Sequence, residues 1–247
     1  MASASSPPPA PGADHPHEHH HRNIQGGAAR AAVFGVSDGL VSNMALVLGV
    51  AGAGPAPSVV RLAGIVGLLG GAFSMAAGEY VSMKAQSELL ERELELERIE
   101  LERRPDNERR ELSHIYRSRG VDAEVADQMA AHMMRNPDLA LETHAREELG
   151  IDPSKLGAPL AASASSFASF AVGAAVPLLP WLVAGGGTAT VTSIVLGMVA
   201  AVAIGCVLAR FTGRSLWRGG ARQALIAALA AGVPYAIGSA VGVTSPV

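Results

Sequence analysis

Charge in this chain is confined to one stretch, and that confinement limits what the chain can fold into. Most of its Lys, Arg, Asp and Glu falls between Lys84 and Lys155, and the segments on either side are nearly uncharged. A water-soluble domain spreads charge over its whole surface. A helix instead crosses a hydrocarbon core of about 30 Å with roughly 20 apolar residues. Five runs meet that length: 28–52, 59–84, 158–183, 188–210 and 221–244. The expected fold is an all-α integral membrane protein, with five transmembrane helices and a helical cytoplasmic insert between the second and third. The chain then divides into a tail (1–27), spans 1 and 2 (28–84), an insert (85–156) and spans 3 to 5 (157–247). The net charge of −3 averages over this split and says nothing about partners. Cys206 is the only cysteine, so no disulfide forms within the chain.

Basic residues set the orientation. Arg22 and Arg30 precede the first span, most Lys and Arg follow the second, and Arg210, Arg214, Arg218 and Arg222 lie between the fourth and fifth. The loop at Gly185-Gly186-Gly187 and the C-terminus have none, and the first turn has only nearby Arg61. The positive-inside rule puts the N-terminus and insert in the cytoplasm and the C-terminus outside. Trp181 and Trp217 stand at span ends, where indole rings favour the interface. Small residues such as Gly64, Gly67, Gly70, Gly71 and Gly78 suit close helix packing in lipid. Pro177 and Pro180 should kink or end the third span.

The tail is rich in Pro and Ser and reads as disordered. It carries His15, His17, His19, His20 and His21, which either collect metal weakly or are simply solvated. With no basic start and no apolar core, it offers no cleavable signal peptide. The insert reads as helices over 87–103, 108–119, 122–135 and 138–148, punctuated by Pro105, Gly120, Asn136-Pro137 and Gly150.

Two groups of residues carry chemistry. Asp38 lies near the middle of the first span, where a charge costs roughly 3 kcal/mol or more and usually marks an ion or proton path. Met75 sits at a similar depth on the second span, roughly 15 Å in at 1.5 Å per residue. Glu79 is one turn nearer the cytoplasm on the same face. A carboxylate suits hard divalent cations and a thioether softer ones, so the pair favours Fe²⁺- or Mn²⁺-like ions. The plainer alternatives are a gap-filling methionine, an aspartate in a helix–helix hydrogen bond and a glutamate at the interface. The second group is the run of glutamates in the insert. Glu93, Glu97 and Glu100 share a helix face, Glu108 and Glu111 lie on the next helix, and Glu147 and Glu148 end the last. They either hold divalent ions or form a solvated, ion-paired surface. Glu111 and His114 also fit the Glu-x-x-His pattern of di-iron bundles, which needs two copies. The other match, Glu18 to His21, is in the tail.

The segments Phe34-Gly35-Val36-Ser37-Asp38-Gly39-Leu40-Val41-Ser42-Asn43 and Gly71-Ala72-Phe73-Ser74-Met75-Ala76-Ala77-Gly78-Glu79-Tyr80-Val81-Ser82 resemble the vacuolar iron transporter family. So do Glu147-Glu148-Leu149-Gly150 and the five-span plan, from about residue 28 to the end. The resemblance implies a homodimeric carrier that exchanges Fe²⁺, often Mn²⁺, for protons and moves metal out of the cytosol. It implies that Asp38 and Met75 line the path, with Glu79 near its cytoplasmic mouth. It also implies that Glu97, Glu100, Glu108, Glu111 and Glu148 bind metal in the insert. His144-Ala145 stands where eukaryotic members have a methionine pair, so His144 replaces one soft ligand. Gly27 and Gly67 stand where some members carry a glutamate.

The expected function is therefore a proton-coupled Fe²⁺/Mn²⁺ antiporter, not an enzyme, with no prosthetic group and no nucleic-acid partner. It is expected in a bacterial plasma membrane, because no organellar signal is visible. The alternatives are a membrane-anchored metal sensor without transport and a membrane di-iron oxidase.

Overall fold

The computed structural model describes residues 27–153 and 157–242, and among these it contains helices and no strand. Eight helices follow in order: α1 (Gly27–Gly52), α2 (Pro57–Arg103), α3 (Pro105–Ser118), α4 (Ala123–Met133), α5 (Pro137–Glu147), α6 (Pro159–Val183), α7 (Gly186–Phe211) and α8 (Leu216–Val241). Five of them, α1, α2, α6, α7 and α8, are long and apolar enough to cross a membrane. The histidine-rich tail lies outside the described residues, as does Lys155.

The second span and the first helix of the insert are one element. α2 runs for 47 residues, about 70 Å at 1.5 Å per residue. The helix runs unbroken through the boundary expected at Lys84, because no Pro or Gly occurs between Gly78 and Pro105 to stop it. The apolar half of α2 is long enough to cross a membrane, and the glutamate-rich half continues the same helix. The other insert helices match their punctuation. Pro105 and Pro137 open α3 and α5 at the first turn, and Gly120 closes α3 with φ +92°.

α1 is the hub of the bundle and packs against α2, α6, α7 and α8. Its inner face places Leu40, Met44 and Leu48 against Ala201 of α7 and Ala227 and Ala231 of α8. Val47 joins Val60, Leu178, Trp181 and Ala189 in a second cluster. Trp181, near the end of α6, therefore faces the bundle and not its surroundings. It is 2% exposed and packed inside the bundle, because α6 continues through Pro177 and Pro180 to Val183 and carries the indole inward. Trp217 does face outward, with 80% exposure.

Glycine sets how closely α1 meets α6. A Cβ on Gly39 would collide with the carbonyl oxygen of Phe170, and one on Gly173 with that of Val36. The two backbones are in contact, as small residues permit in lipid. Gly39→Ala should therefore destabilise the protein by about 3 kcal/mol, the upper end for overpacking. Gly232→Ala meets open space and should be neutral or slightly stabilising. Thermal unfolding in detergent measures both, and equal midpoints would contradict this packing.

Candidate functional site

Asp38 and Met75 come together. They line one cavity of about 310 Å³ with Ser42, Asn43, Leu46, Gly67, Gly71, Ser74 and Phe170. α1 supplies one wall, because 38, 42 and 46 recur at helical spacing, and α2 supplies the other through 67, 71, 74 and 75. Phe170 of α6 presses its ring against Gly71. Asp38, Ser42, Leu46 and Ser74 are exposed, so the cavity opens on the surface of the protomer.

The Asp38 carboxylate accepts a hydrogen bond of 2.9 Å from Ser42 Oγ, one turn along the same helix. This bond does not tie α1 to another helix, so the aspartate is not spent on helix–helix bonding there. That task falls to neighbours. Gln223 of α8 donates to Ser37 Oγ at 2.7 Å, and Asn43 Nδ2 donates to the carbonyl of Ala174 on α6 at 2.7 Å. Among the described residues, Asp38 is the only ionisable group in the cavity wall. Glu79 lies one turn beyond Met75, half-buried, outside the cavity lining. Sequence reasoning passes over Asn43. The available signal is an amide side chain five residues from Asp38 in a run whose other residues, two serines apart, are apolar or small.

The insert builds a second site from three helices. Glu97 near the end of α2, Glu108 in the first turn of α3 and His144 in the last turn of α5 are all buried. One potential ligand atom from each lies within 4.8 Å of the others. Pro105 creates this geometry by turning the chain back after α2, so that Glu108 faces Glu97. His144 Nδ1 lies 3.1 Å from Glu97 Oε1 and 3.3 Å from Glu148 Oε2. A single N–H can serve only one of them. Only the contact with Glu148 has hydrogen-bond geometry, and Glu97 Oε1 is buried with no hydrogen-bond partner among the described residues.

Burial, and then the nearby Glu148, Glu108, Glu100 and Glu111, push the Glu97 carboxyl up from 4.5 to about 7. Burial raises Glu108 as well, Glu111 adds to the rise, and His144 opposes it. Two buried carboxylates and an imidazole form a donor set for a borderline divalent cation, and a cation would relieve their mutual repulsion. Glu100 and Glu111 are exposed and surround this centre as charges. Glu147 does not join it, because Arg119 holds its carboxylate. Glu88 pairs with Lys84 at 3.3 Å. Glu111 and His114 are both exposed, and the described residues offer no second Glu-x-x-His to complete a di-iron bundle.

The raised Glu97 has a pH consequence. Between about 4.5 and about 7 the folded protein keeps a proton there that the unfolded chain has released. Its contribution to stability is complete below about 4.5 and is lost as pH rises through about 7. The metal-free protein should thus lose thermal stability from about pH 4.5 to about pH 7, and Glu97→Gln should flatten that slope. An unchanged slope in the variant would remove Glu97 as the cause.

The model of the VIT family matches residues 29–239. The chain is 36% identical over 217 residues to the vacuolar iron transporter of Acanthamoeba castellanii, covering 86% of this chain and 78% of that protein. It is 31% identical over 217 residues to vacuolar iron transporter 1 of Oryza sativa subsp. japonica, covering 87% and 86%. It is 32% identical over 213 residues to vacuolar iron transporter 1 of Tulipa gesneriana, covering 86% of each.

Proposed function

The chain belongs to the VIT family, and from that premise we propose that it carries a divalent metal ion, Fe²⁺ or Mn²⁺, across a membrane in exchange for protons. The observation that carries this reading is the cavity between α1 and α2, where a carboxylate and a thioether meet inside membrane-spanning helices. Hydrocarbon offers a dehydrated cation no ligands, so a wall with Asp38, Ser42, Ser74 and Met75 is suited to lodging one.

In this reading the insert collects metal at Glu97, Glu108 and His144. Glu148, Glu100 and Glu111 hold the local potential negative and so raise the local cation concentration. The ion then passes Glu79 and reaches Met75 and Asp38. Asp38 gives up a proton as the ion arrives and regains one as it leaves, which couples the two flows. The N-terminus and insert face the cytoplasm, so net movement is out of the cytosol. The protein acts as a homodimer, because Asp38, Ser42 and Ser74 open onto the protomer surface and a second copy would shield them from lipid. No catalysed reaction is part of the proposal. The histidine-rich tail would add a weak collecting arm. A bacterial plasma membrane also belongs to the proposal; the plant and protist relatives, named as vacuolar, lend no support to that location. Fractionation tests it.

One observation favours a second reading. The Glu97–Glu108–His144 centre lies wholly in the insert and would be complete in a metal sensor that moves nothing. Purified protein in proteoliposomes separates the two. A carrier moves Mn²⁺ inward faster than protein-free vesicles and moves protons oppositely; a sensor binds Mn²⁺ and leaves both gradients intact.

A further inference from the structure

The cavity wall contains a buried oxygen with no partner. Asn43 is 2% exposed, and its Nδ2 donates to the Ala174 carbonyl at 2.7 Å. A carbonyl oxygen can only accept, so the amide nitrogen must face α6 and Oδ1 must face away from it. That Oδ1 is buried and accepts no hydrogen bond. An acceptor left in this state costs free energy unless something else fills the role. The residue lines the same cavity as Asp38 and Met75. Across from it, α2 carries Gly67, where a Cβ would lie 2.7 Å from Oδ1. Any side chain at 67 would occupy the approach to this oxygen.

We propose that Asn43 Oδ1 is a ligand for the transported cation at the deep end of the cavity, and that Gly67 keeps its approach open. This rests on the carrier reading and extends it. Asn43 lies five residues beyond Asp38 on α1, about 7.5 Å further along the helix axis and away from the insert. A cation leaving the carboxylate would meet a neutral oxygen held rigidly by α6. Neutrality suits this position. An amide carbonyl coordinates hard and borderline divalent ions without adding a second charge that would hold them too tightly to leave. Asp38 then supplies the charge, Met75 the softness and Asn43 the next oxygen along the path.

The test uses full-length protein, with Mn²⁺ as the probe. Asn43→Leu keeps the branched shape, is somewhat larger, and removes the oxygen together with the amide's bond to Ala174. Gly67→Ala leaves both polar atoms of Asn43 in place chemically and puts a methyl group in the approach to Oδ1, where the end of the Leu46 side chain must also give way. In proteoliposomes the KM for Mn²⁺ should rise about 10-fold or more in the first and about 3-fold or more in the second, with the maximal rate changed less. In detergent, with the insert centre disabled by Glu97→Gln, Glu108→Gln and His144→Ala, the remaining Mn²⁺ affinity, followed by electron paramagnetic resonance, should weaken by similar factors. Should Asn43→Leu fail to fold, Gly67→Ala decides alone. KM and affinity within about 2-fold of wild type would overturn the proposal. Absence of flux in the wild type overturns the carrier reading instead, and the binding arm still tests Asn43.

Discussion

Asp38→Ala should lower Mn²⁺ flux in proteoliposomes at least about 100-fold, close to the rate of protein-free vesicles. The reason is local. Asp38 is the only ionisable group in the cavity wall among the described residues, so its removal leaves a divalent cation there with neutral ligands only. In a medium of low dielectric constant, an uncompensated charge costs several kcal/mol. The variant should still fold, because the carboxylate's hydrogen bond is to Ser42 on its own helix and releases no contact between helices. It should also keep full metal binding at the insert. Wild-type flux from Asp38→Ala would exclude the aspartate from the path.

The insert should show the second large effect. Replacing Glu97 and Glu108 by Gln together with His144→Ala should weaken metal binding at that centre by more than about 100-fold, since each substitution removes a ligand atom. Changing the exposed Glu100 and Glu111 to Gln should do much less, because they act at longer range through solvent. Titration of the full chain with Mn²⁺ measures both sets. Equal losses would mean that the acidic surface as a whole, and not the buried centre, holds the ion.

The pattern of spans was legible because lipid demands long apolar helices, and each of the five runs became one. The insert helices were legible from Pro105, Gly120 and Pro137, which act locally. The continuity of α2 was missed for an opposite reason: a change from apolar to charged residues marks a membrane surface, and the backbone hydrogen bonds run through it unbroken. The burial of Trp181 was not legible, because its position near a span end says nothing about which side of α6 it occupies.

For the site, Asp38 stood out because charge is costly at that depth. That Met75 shares its cavity follows from two antiparallel spans of similar length. Among the insert glutamates, helical spacing grouped Glu93, Glu97 and Glu100. Only tertiary packing separates buried Glu97 and Glu108 from exposed Glu100 and Glu111, and only tertiary packing removes Glu147 to Arg119. Asn43 escaped notice because an amide within a span is usually a helix–helix bond. Half of it is: the nitrogen meets Ala174, and the oxygen does not take part.

X-ray absorption of Fe²⁺ bound to protein lacking the insert centre tests most directly whether one ion meets both Asp38 and Met75. A sulfur neighbour is expected in the first coordination shell, lost in Met75→Leu, with metal binding lost in Asp38→Ala. A shell of oxygen and nitrogen alone, unchanged by Met75→Leu, would contradict this.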